Sequence, residues 1–248
     1  MIPLFIFFYG LVFGSFFNVI GLRVPKGQSI MQPRSTCPAC SHELGMTELV
    51  PVLSYVLQAG KCRACQSAIS RIYPVMELIT ALLFLHAYFC FGLTADFVLA
   101  LALISMLMII VVSDLAYMII PDKVLLFFFS LFLIGRIIYP LDPWWDSIVG
   151  GAAGFIVFFL IAVVSKGGMG GGDIKLLAVI GFLAGAEKTL VVFCLSCIFG
   201  ALGGMVLMMG GVIKRGEPMP FGPFLALAAL VAFFYGEAFL AWYLRFFS

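Results

Sequence analysis

The sequence predicts an all-α polytopic membrane protein with about eight transmembrane helices. Hydrophobic residues make up 64% of its 248 residues and charged residues only 10%, which is more apolar than a soluble protein requires. Apolar runs of about 20 residues, the length that crosses a bilayer, recur between short breaks that are polar or contain Gly and Pro. The spans are predicted at roughly 2–22, 72–91, 97–113, 123–139, 147–165, 174–186, 189–213 and 221–244, and the sixth is the shortest.

The first span begins with Met1-Ile2-Pro3 and stays apolar through Val19-Ile20. A cleaved secretion signal has a basic start, a shorter apolar stretch and a small-residue cleavage site. Because the first span does not follow this pattern, we expect it to be retained as a transmembrane helix.

Glycines four residues apart occur in the first, fifth, sixth and seventh spans, and such spacing lets two helices approach closely. We expect these spans to form a tight bundle and assign the glycines a packing role. The pairs are Gly10 and Gly14, Gly150 and Gly154, Gly181 and Gly185, and Gly200 and Gly204.

Lys and Arg predict the orientation, because basic residues accumulate in cytoplasmic loops. If the segment after the first span is cytoplasmic, the two termini lie outside and 11 of the 14 basic residues lie inside. The inner residues are Arg23, Lys26, Arg34, Lys61, Arg63, Arg71, Lys123, Lys166, Lys175, Lys214 and Arg215, and the outer ones are Arg136, Lys188 and Arg245. The basic residues are thereby explained by topology, and a net charge of +2 does not indicate nucleic-acid binding.

Residues 23–71 form the one stretch of mixed composition and carry two C-x-x-C pairs, separated by 21 residues. Four thiolates on a small loop-rich segment are typical of a structural zinc site, and a segment of this size has too little core to fold well unaided. Disulfides, free thiols and a catalytic metal are the alternatives, although a cytoplasmic location disfavours disulfides. The predicted ligands are Cys37, Cys40, Cys62 and Cys65.

His42 lies two residues after Cys40, but with four cysteines available we expect it to remain solvated rather than to bind metal. The remaining cysteines, Cys90, Cys194 and Cys197, lie in apolar spans. We interpret them as small residues that face lipid or the helix core, without a metal role.

Two aspartates stand out, because ionised groups are costly near hydrocarbon and are functional candidates in membrane proteins. Asp114 ends the third span, seven residues before Pro121. Asp173 follows a glycine-rich run that begins at Gly167 and precedes the sixth span. The topology places both carboxylates at the cytoplasmic face, each where a helix meets a loop, and the glycine run would let Asp173 swing towards Asp114.

Two adjacent carboxylates share a proton, so that one can activate water while the other polarises a carbonyl group. This is the arrangement of aspartic proteolysis. Asp122 is the rival for the role of Asp114, and Asp173 alone could instead cap the following helix. A transporter, in which membrane acids line an ion path, and a non-catalytic assembly factor with a zinc module are the alternatives to an enzyme.

The chain resembles the bacterial prepilin peptidases, also called type IV leader peptidases, which are G-x-G-D membrane aspartic proteases. The resemblance runs nearly end to end and is carried by ordered motifs. These are Gly14-Ser15-Phe16-Phe17-Asn18-Val19, the cysteine pairs, Pro51-Val52-Leu53-Ser54-Tyr55, Gly60-Lys61, Tyr73-Pro74-Val75-Met76-Glu77-Leu78, Asp114 with Pro121, Gly170-Gly171-Gly172-Asp173-Ile174-Lys175-Leu176 and Pro220-Phe221-Gly222-Pro223-Phe224-Leu225-Ala226.

The resemblance implies cleavage of the basic leader of type IV prepilins or pseudopilins, at the cytoplasmic face of the cell membrane, with Asp114 and Asp173 as the catalytic pair. It further implies that the four cysteines bind zinc and that S-adenosylmethionine serves to methylate the new amino terminus. The compact size and the Gly-Gly-Gly-Asp form resemble the competence pseudopilin-processing enzymes of Gram-positive bacteria. Glu48-Leu49-Val50 departs from the customary Glu-Asn-Ile, which weakens the inference of methylation only.

The predicted organisation has three parts: the first transmembrane helix (1–22), a cytoplasmic zinc-binding domain associated with methyl transfer (23–71), and a membrane aspartic protease domain (72–248). The expected partners are a prepilin or pseudopilin substrate and membrane lipid, with no nucleic acid. No pattern in the chain indicates an oligomeric state, and none identifies residues that bind the methyl donor.

Overall fold

The computed structural model describes residues 1–165, 169–211, 214 and 219–245, without the side chains of 242–244. Some residues used in the predictions of topology, of the glycine run and of the spans lie outside the described residues: Lys166, Gly167, Gly168, residues 212–213 and Arg215. The described chain contains nine α-helices and no β-strand. They are α1 (Ile2–Arg23), α2 (Leu53–Leu57), α3 (Ile72–Phe91), α4 (Ala95–Tyr117), α5 (Asp122–Ile138), α6 (Asp146–Val164), α7 (Gly171–Ala184), α8 (Ala186–Met209) and α9 (Gly222–Arg245).

A helix occurs at each of the eight predicted spans, which confirms the all-α polytopic membrane fold. Among the described residues, six helices are long and apolar enough to cross a bilayer: α1, α3, α4, α6, α8 and α9. Of the eight helices that match predicted spans, the remaining two, α5 and α7, contain 17 and 14 residues. At 1.5 Å per residue, α7 is about 21 Å long, which is shorter than the roughly 30 Å hydrocarbon core.

Two helix ends differ from the sequence prediction, and both differences concern the aspartates. Helix α4 continues past residue 113 to Tyr117, because Leu115 and Ala116 extend the helix until Met118 adopts a φ of +53°. Asp114 therefore lies inside the last turn of α4 rather than after the helix. Helix α7 begins at Gly171, so Asp173 lies in its first turn instead of preceding it.

The chain divides into two compact units, Met1–Phe97 and Val98–Ser248. The boundaries predicted at 22/23 and 71/72 both fall within the first unit and stay predictions. In the first unit α1 packs against α3. A Cβ atom on Gly10 would lie 2.6 Å from the Cα of Ala81, so the two backbones approach too closely for any larger residue.

In the second unit α7 packs between neighbouring membrane helices and contacts α5, α6, α8 and α9. Gly150 of α6 and Gly181 of α7 meet backbone to backbone, which confirms their packing role. Gly185 differs, because its φ of +87° makes it the junction between α7 and α8, a conformation that favours glycine. Among the six long helices, α4 has the most buried span.

Candidate active site

Asp114 is buried at the end of α4, with 5% of its surface exposed. Its Oδ2 accepts a hydrogen bond of 2.8 Å from the backbone N–H of Gly222, the first residue of α9. The amino-terminal end of a helix carries a partial positive charge that favours an anion. The carboxylate is therefore held by the start of a helix that lies 108 residues further along the chain.

The turn after α4 is fixed by local hydrogen bonds. The backbone N–H of Met118 donates to the carbonyl oxygen of Asp114 over 2.8 Å, and the Ser113 hydroxyl donates to the carbonyl oxygen of Ile119. Ile120 then packs against the start of α7, where a Cβ atom on Gly172 would lie 2.8 Å from the Ile120 Cβ. Gly172 is therefore the residue that lets α7 begin against the turn that follows α4.

Asp173 is half-buried in the first turn of α7, and its backbone N–H donates to the carbonyl oxygen of Gly170 over 3.1 Å. A Cβ atom on Gly170 would lie 2.9 Å from the Asp173 Oδ2. The carboxylate of Asp173 is close enough to that of Asp114 for their charges to repel. The structure thus brings together the two aspartates that the sequence singled out.

Asp122 lies elsewhere, at the start of α5, and forms an ion pair with Lys175. The Nζ of Lys175 is 2.8 Å from each Asp122 carboxylate oxygen. The Asp122 side chain is 68% exposed and that of Lys175 is 52% exposed. Asp122 is therefore occupied by a surface ion pair, whereas Asp114 is buried and its charge acts on that of Asp173.

The first unit contains a second candidate site, a cluster of four cysteine sulfurs. Cys37 Sγ is 3.8 Å from Cys65 Sγ, Cys40 Sγ is 3.9 Å from Cys62 Sγ, and all four lie within 4.8 Å of one another. Four Zn–S bonds of about 2.3 Å in a tetrahedron separate the sulfurs by about 3.8 Å. A disulfide needs about 2.05 Å, so the geometry fits a four-coordinate metal ion and not two disulfides.

The two cysteine pairs have the same backbone structure, displaced by 25 residues. Cys37 donates its N–H to the carbonyl oxygen of His42, and Cys62 donates to that of Ser67. Ser41 and Gln66, the equivalent positions, have φ of +57° and +61°. Both pairs share the sequence Cys-x-Ala-Cys. This pattern is the sequence signal for an internal repeat that was not predicted from the sequence.

The surroundings of the cluster favour thiolates at two of its cysteines. The Ser67 hydroxyl hydrogen-bonds to the sulfurs of Cys37 and Cys65, which lowers the pKa of Cys37 to about 6 and also lowers the pKa of Cys65. At Cys40 a hydrogen bond from the His42 backbone lowers the pKa, but the bond to Cys65 and burial outweigh it and raise the pKa to about 12. A divalent cation would stabilise all four thiolates together.

His42 is not part of this cluster. Its Nε2 is 3.3 Å from Glu48 Oε2, and its side chain is 41% exposed, as expected for a solvated histidine. Cys90 lies in α3, and Cys194 and Cys197 lie in α8, all with exposed surface. None of these three belongs to the metal-capable group found among the described residues.

The comparisons with known proteins agree with this architecture. Residues 8–91 match the model of the bacterial peptidase A24 N-terminal domain, and residues 101–205 match that of the type IV leader peptidase family. No solved structure gives a significant match.

Three curated relatives carry the name prepilin leader peptidase/N-methyltransferase. The protein of Bacillus subtilis is 41% identical over 240 residues, which cover 97% of each chain. Those of Aeromonas salmonicida and Pseudomonas aeruginosa are 32% and 33% identical, over 96% of this chain and 92% and 91% of theirs. This chain belongs to the type IV leader peptidase family.

Proposed function

We propose that this protein is a membrane aspartic endopeptidase that removes the leader of type IV prepilins or pseudopilins and methylates the new amino terminus. The observation that carries the proposal is the buried carboxylate of Asp114, held by the start of α9 and close enough to Asp173 for the two charges to interact. Family membership and the shared name of the relatives support the substrate class and both activities.

Asp114 and Asp173 are the proposed catalytic pair, sharing one proton. The ionised carboxylate accepts a proton from water as the water oxygen bonds to the scissile carbonyl carbon, while the protonated carboxyl donates a hydrogen bond to the carbonyl oxygen. The carbon–nitrogen bond then breaks, and the leaving amine takes a proton from the pair. The Gly222 N–H orients Asp114 throughout, and the ion pair with Lys175 keeps Asp122 out of this chemistry.

Zinc is the metal proposed for the four cysteines, because the sulfur spacing fits tetrahedral thiolate coordination. Its proposed role is structural, because the metal would join the two C-x-x-C turns in a segment that has little apolar core. S-adenosylmethionine is the proposed methyl donor, because the relatives are named N-methyltransferases and the resemblance to the family implies it. Segment 23–71 has no glycine-rich nucleotide-binding loop, so no residue is assigned to the methyl donor.

The proposed location is the cell membrane, with the aspartates and the cysteine segment on the cytoplasmic side. The basic residues support this orientation, because 11 of the 14 fall on one side of the eight-span topology. A role in processing competence pseudopilins stays a prediction.

The direct experiment is co-expression with a prepilin-like substrate, followed by mass analysis of the substrate's amino terminus. We expect loss of the leader and addition of a methyl group. Intact leader on a substrate exposed to well-folded, membrane-inserted protein would overturn the proposal of a peptidase, and a cleaved but unmethylated product would overturn only that of methylation.

A further inference from the structure

A strained turn lies between the two cysteine pairs, at Val52. This β-branched residue has φ of +59° and ψ of −50°, and the N–H of Leu53 donates to the carbonyl oxygen of Pro51 over 2.6 Å. The combination is a γ-turn with positive φ, which is rare and strained. A valine in this conformation needs the surrounding structure to hold it.

The group that holds Val52 comes from α3. Glu77 is buried, with 7% of its surface exposed, and its Oε2 accepts a hydrogen bond of 2.7 Å from the backbone N–H of Val52. The bond joins residues 25 positions apart and lies at the start of α2, for which Val52 is the N-cap residue. A buried carboxylate thus fixes the turn from which α2 begins.

Glu77 is itself fixed by α1. The Ser15 side chain lies beside the Glu77 carboxylate, and one turn further along α1 the Asn18 amide donates to the carbonyl oxygen of Tyr73 over 3.2 Å. A Cβ atom on Gly14 would lie 2.7 Å from the Glu77 Cα, so the two helices are in direct backbone contact there. The carboxylate therefore belongs to a closely packed helix pair.

From Val52 the connection continues to the second cysteine pair. Tyr55 of α2 packs against Gly60, where a Cβ atom would lie 2.8 Å from the Tyr55 hydroxyl oxygen. Gly60 accepts a hydrogen bond of 2.8 Å from the N–H of Ile69, which closes the turn around Cys62. The orientation of α2 therefore determines where the second pair of sulfurs lies.

We propose that Glu77 is a positioning residue that holds the Val52 turn and thereby anchors the cysteine segment on the α1–α3 helix pair. Its functional consequence rests on the proposed function: the anchor places the segment associated with methylation and leaves leader cleavage to Asp114 and Asp173. Neither the family match nor the names of the relatives assign a role to Glu77.

The test compares four variants of the full chain in membrane vesicles: Glu77→Ala, Glu77→Gln, Val52→Gly and the double variant Glu77→Ala/Val52→Gly. Trypsin cleavage within segment 23–71 reports the anchor without requiring any activity. Loss of the carboxylate leaves the Val52 N–H without its acceptor, which should make Glu77→Ala about tenfold more susceptible. Glu77→Gln should stay within about twofold of wild type, because an amide oxygen also accepts the Val52 N–H.

The double variant should recover part of the protection, because glycine adopts a positive φ without strain, and Val52→Gly alone should resemble wild type. The matched control is Thr80→Val, which removes a buried hydroxyl from the next turn of α3 without contact to Val52, and it too should resemble wild type. Leader cleavage and methylation are then measured separately, and Glu77→Ala should lose methylation with cleavage retained.

Three outcomes would overturn the anchor: wild-type protection in Glu77→Ala, equal susceptibility of Glu77→Gln and Glu77→Ala, or no recovery in the double variant. If Glu77→Ala fails to accumulate, comparing Glu77→Gln with wild type still tests the anchor. The proposal requires segment 23–71 of Glu77→Gln to be as resistant to trypsin as that of wild type, within about twofold. If wild-type protein processes no prepilin, the proposed function fails while the proteolysis result still decides the anchor.

Discussion

The backbone N–H of Gly222 donates a 2.8 Å hydrogen bond to the carboxylate of Asp114, and no other residue type fits at position 222 without moving that carboxylate. A Cβ atom there would lie 2.8 Å from Asp114 Oδ2 and 3.1 Å from its Cγ. The start of α9 thus both stabilises the buried acid and fixes the position of its carboxylate at the end of α4.

Replacing either acid should abolish leader cleavage. Asp114→Asn or Asp173→Asn leaves no pair that can both activate water and protonate the carbonyl oxygen, and we expect the rate to fall by about 10²–10⁴-fold. Single-turnover cleavage of a prepilin in detergent measures the effect. Asp122→Asn is the control and should keep activity within a few-fold of wild type, because exposed ion pairs contribute only about 0–1 kcal/mol. If Asp122→Asn loses activity instead, the catalytic pair includes Asp122.

Gly222→Ala should lower cleavage about tenfold or more, because a displacement of about 1 Å in a catalytic group can cost that much. Gly171→Ala is the matched control, since it also changes the start of a helix but a Cβ atom there meets none of the described residues within 4 Å. The two variants are compared by initial rate at equal amounts of folded protein. Equal rates would mean that the position of Asp114 does not depend on α9.

Metal removal should affect the cysteine segment before the membrane helices. We expect about one zinc per chain from a four-thiolate site, and Cys37→Ser/Cys62→Ser should lose it. Because binding of structural zinc is coupled to folding, segment 23–71 should then become protease-sensitive and methylation should fall. Elemental analysis and trypsin digestion measure these effects, with Cys197→Ser, far from the cluster in sequence, as control. Full metal content in the double serine variant would show that the metal binds elsewhere.

Gly150→Ala should destabilise the second unit, because its Cβ would collide with the backbone carbonyl of Gly181. Overpacking of this kind costs about 1–3 kcal/mol, and the fluorescence-detected thermal midpoint in detergent should fall by several degrees. Gly204→Ala is the control, since among the described residues a Cβ there would meet only Met219 side-chain atoms, at 3.5 and 3.6 Å. Similar midpoints for the two variants would contradict close packing of α6 on α7.

The sequence was sufficient where a property depends on residues near one another in the chain. Runs of about 20 apolar residues predict membrane helices, because hydrophobic length alone decides whether a segment can cross the bilayer. The two C-x-x-C pairs predict a four-sulfur site, because the spacing lets both thiols of each pair bind the same metal ion. Asp114 and Asp173 were found because charge is rare and costly in such a chain. Even the end of α4 was missed by four residues, since Ser113 and Ile119 close that turn through a contact that no spacing rule predicts.

Only the tertiary structure decided which distant segments meet. Glycine spacing in α1 indicated a close contact, and we expected a bundle with the fifth, sixth and seventh spans, but the helix that packs against α1 is α3. The fit of two helix surfaces depends on both sequences at once, so spacing in one helix does not identify its partner. Two hydrogen bonds between distant residues were likewise seen only in the structure. The Gly222 N–H bonds to Asp114, 108 residues away, and the Glu77 carboxylate accepts from Val52, 25 residues away. Hydrophobicity and local spacing set what each segment is, whereas packing between segments sets which polar groups end up buried together.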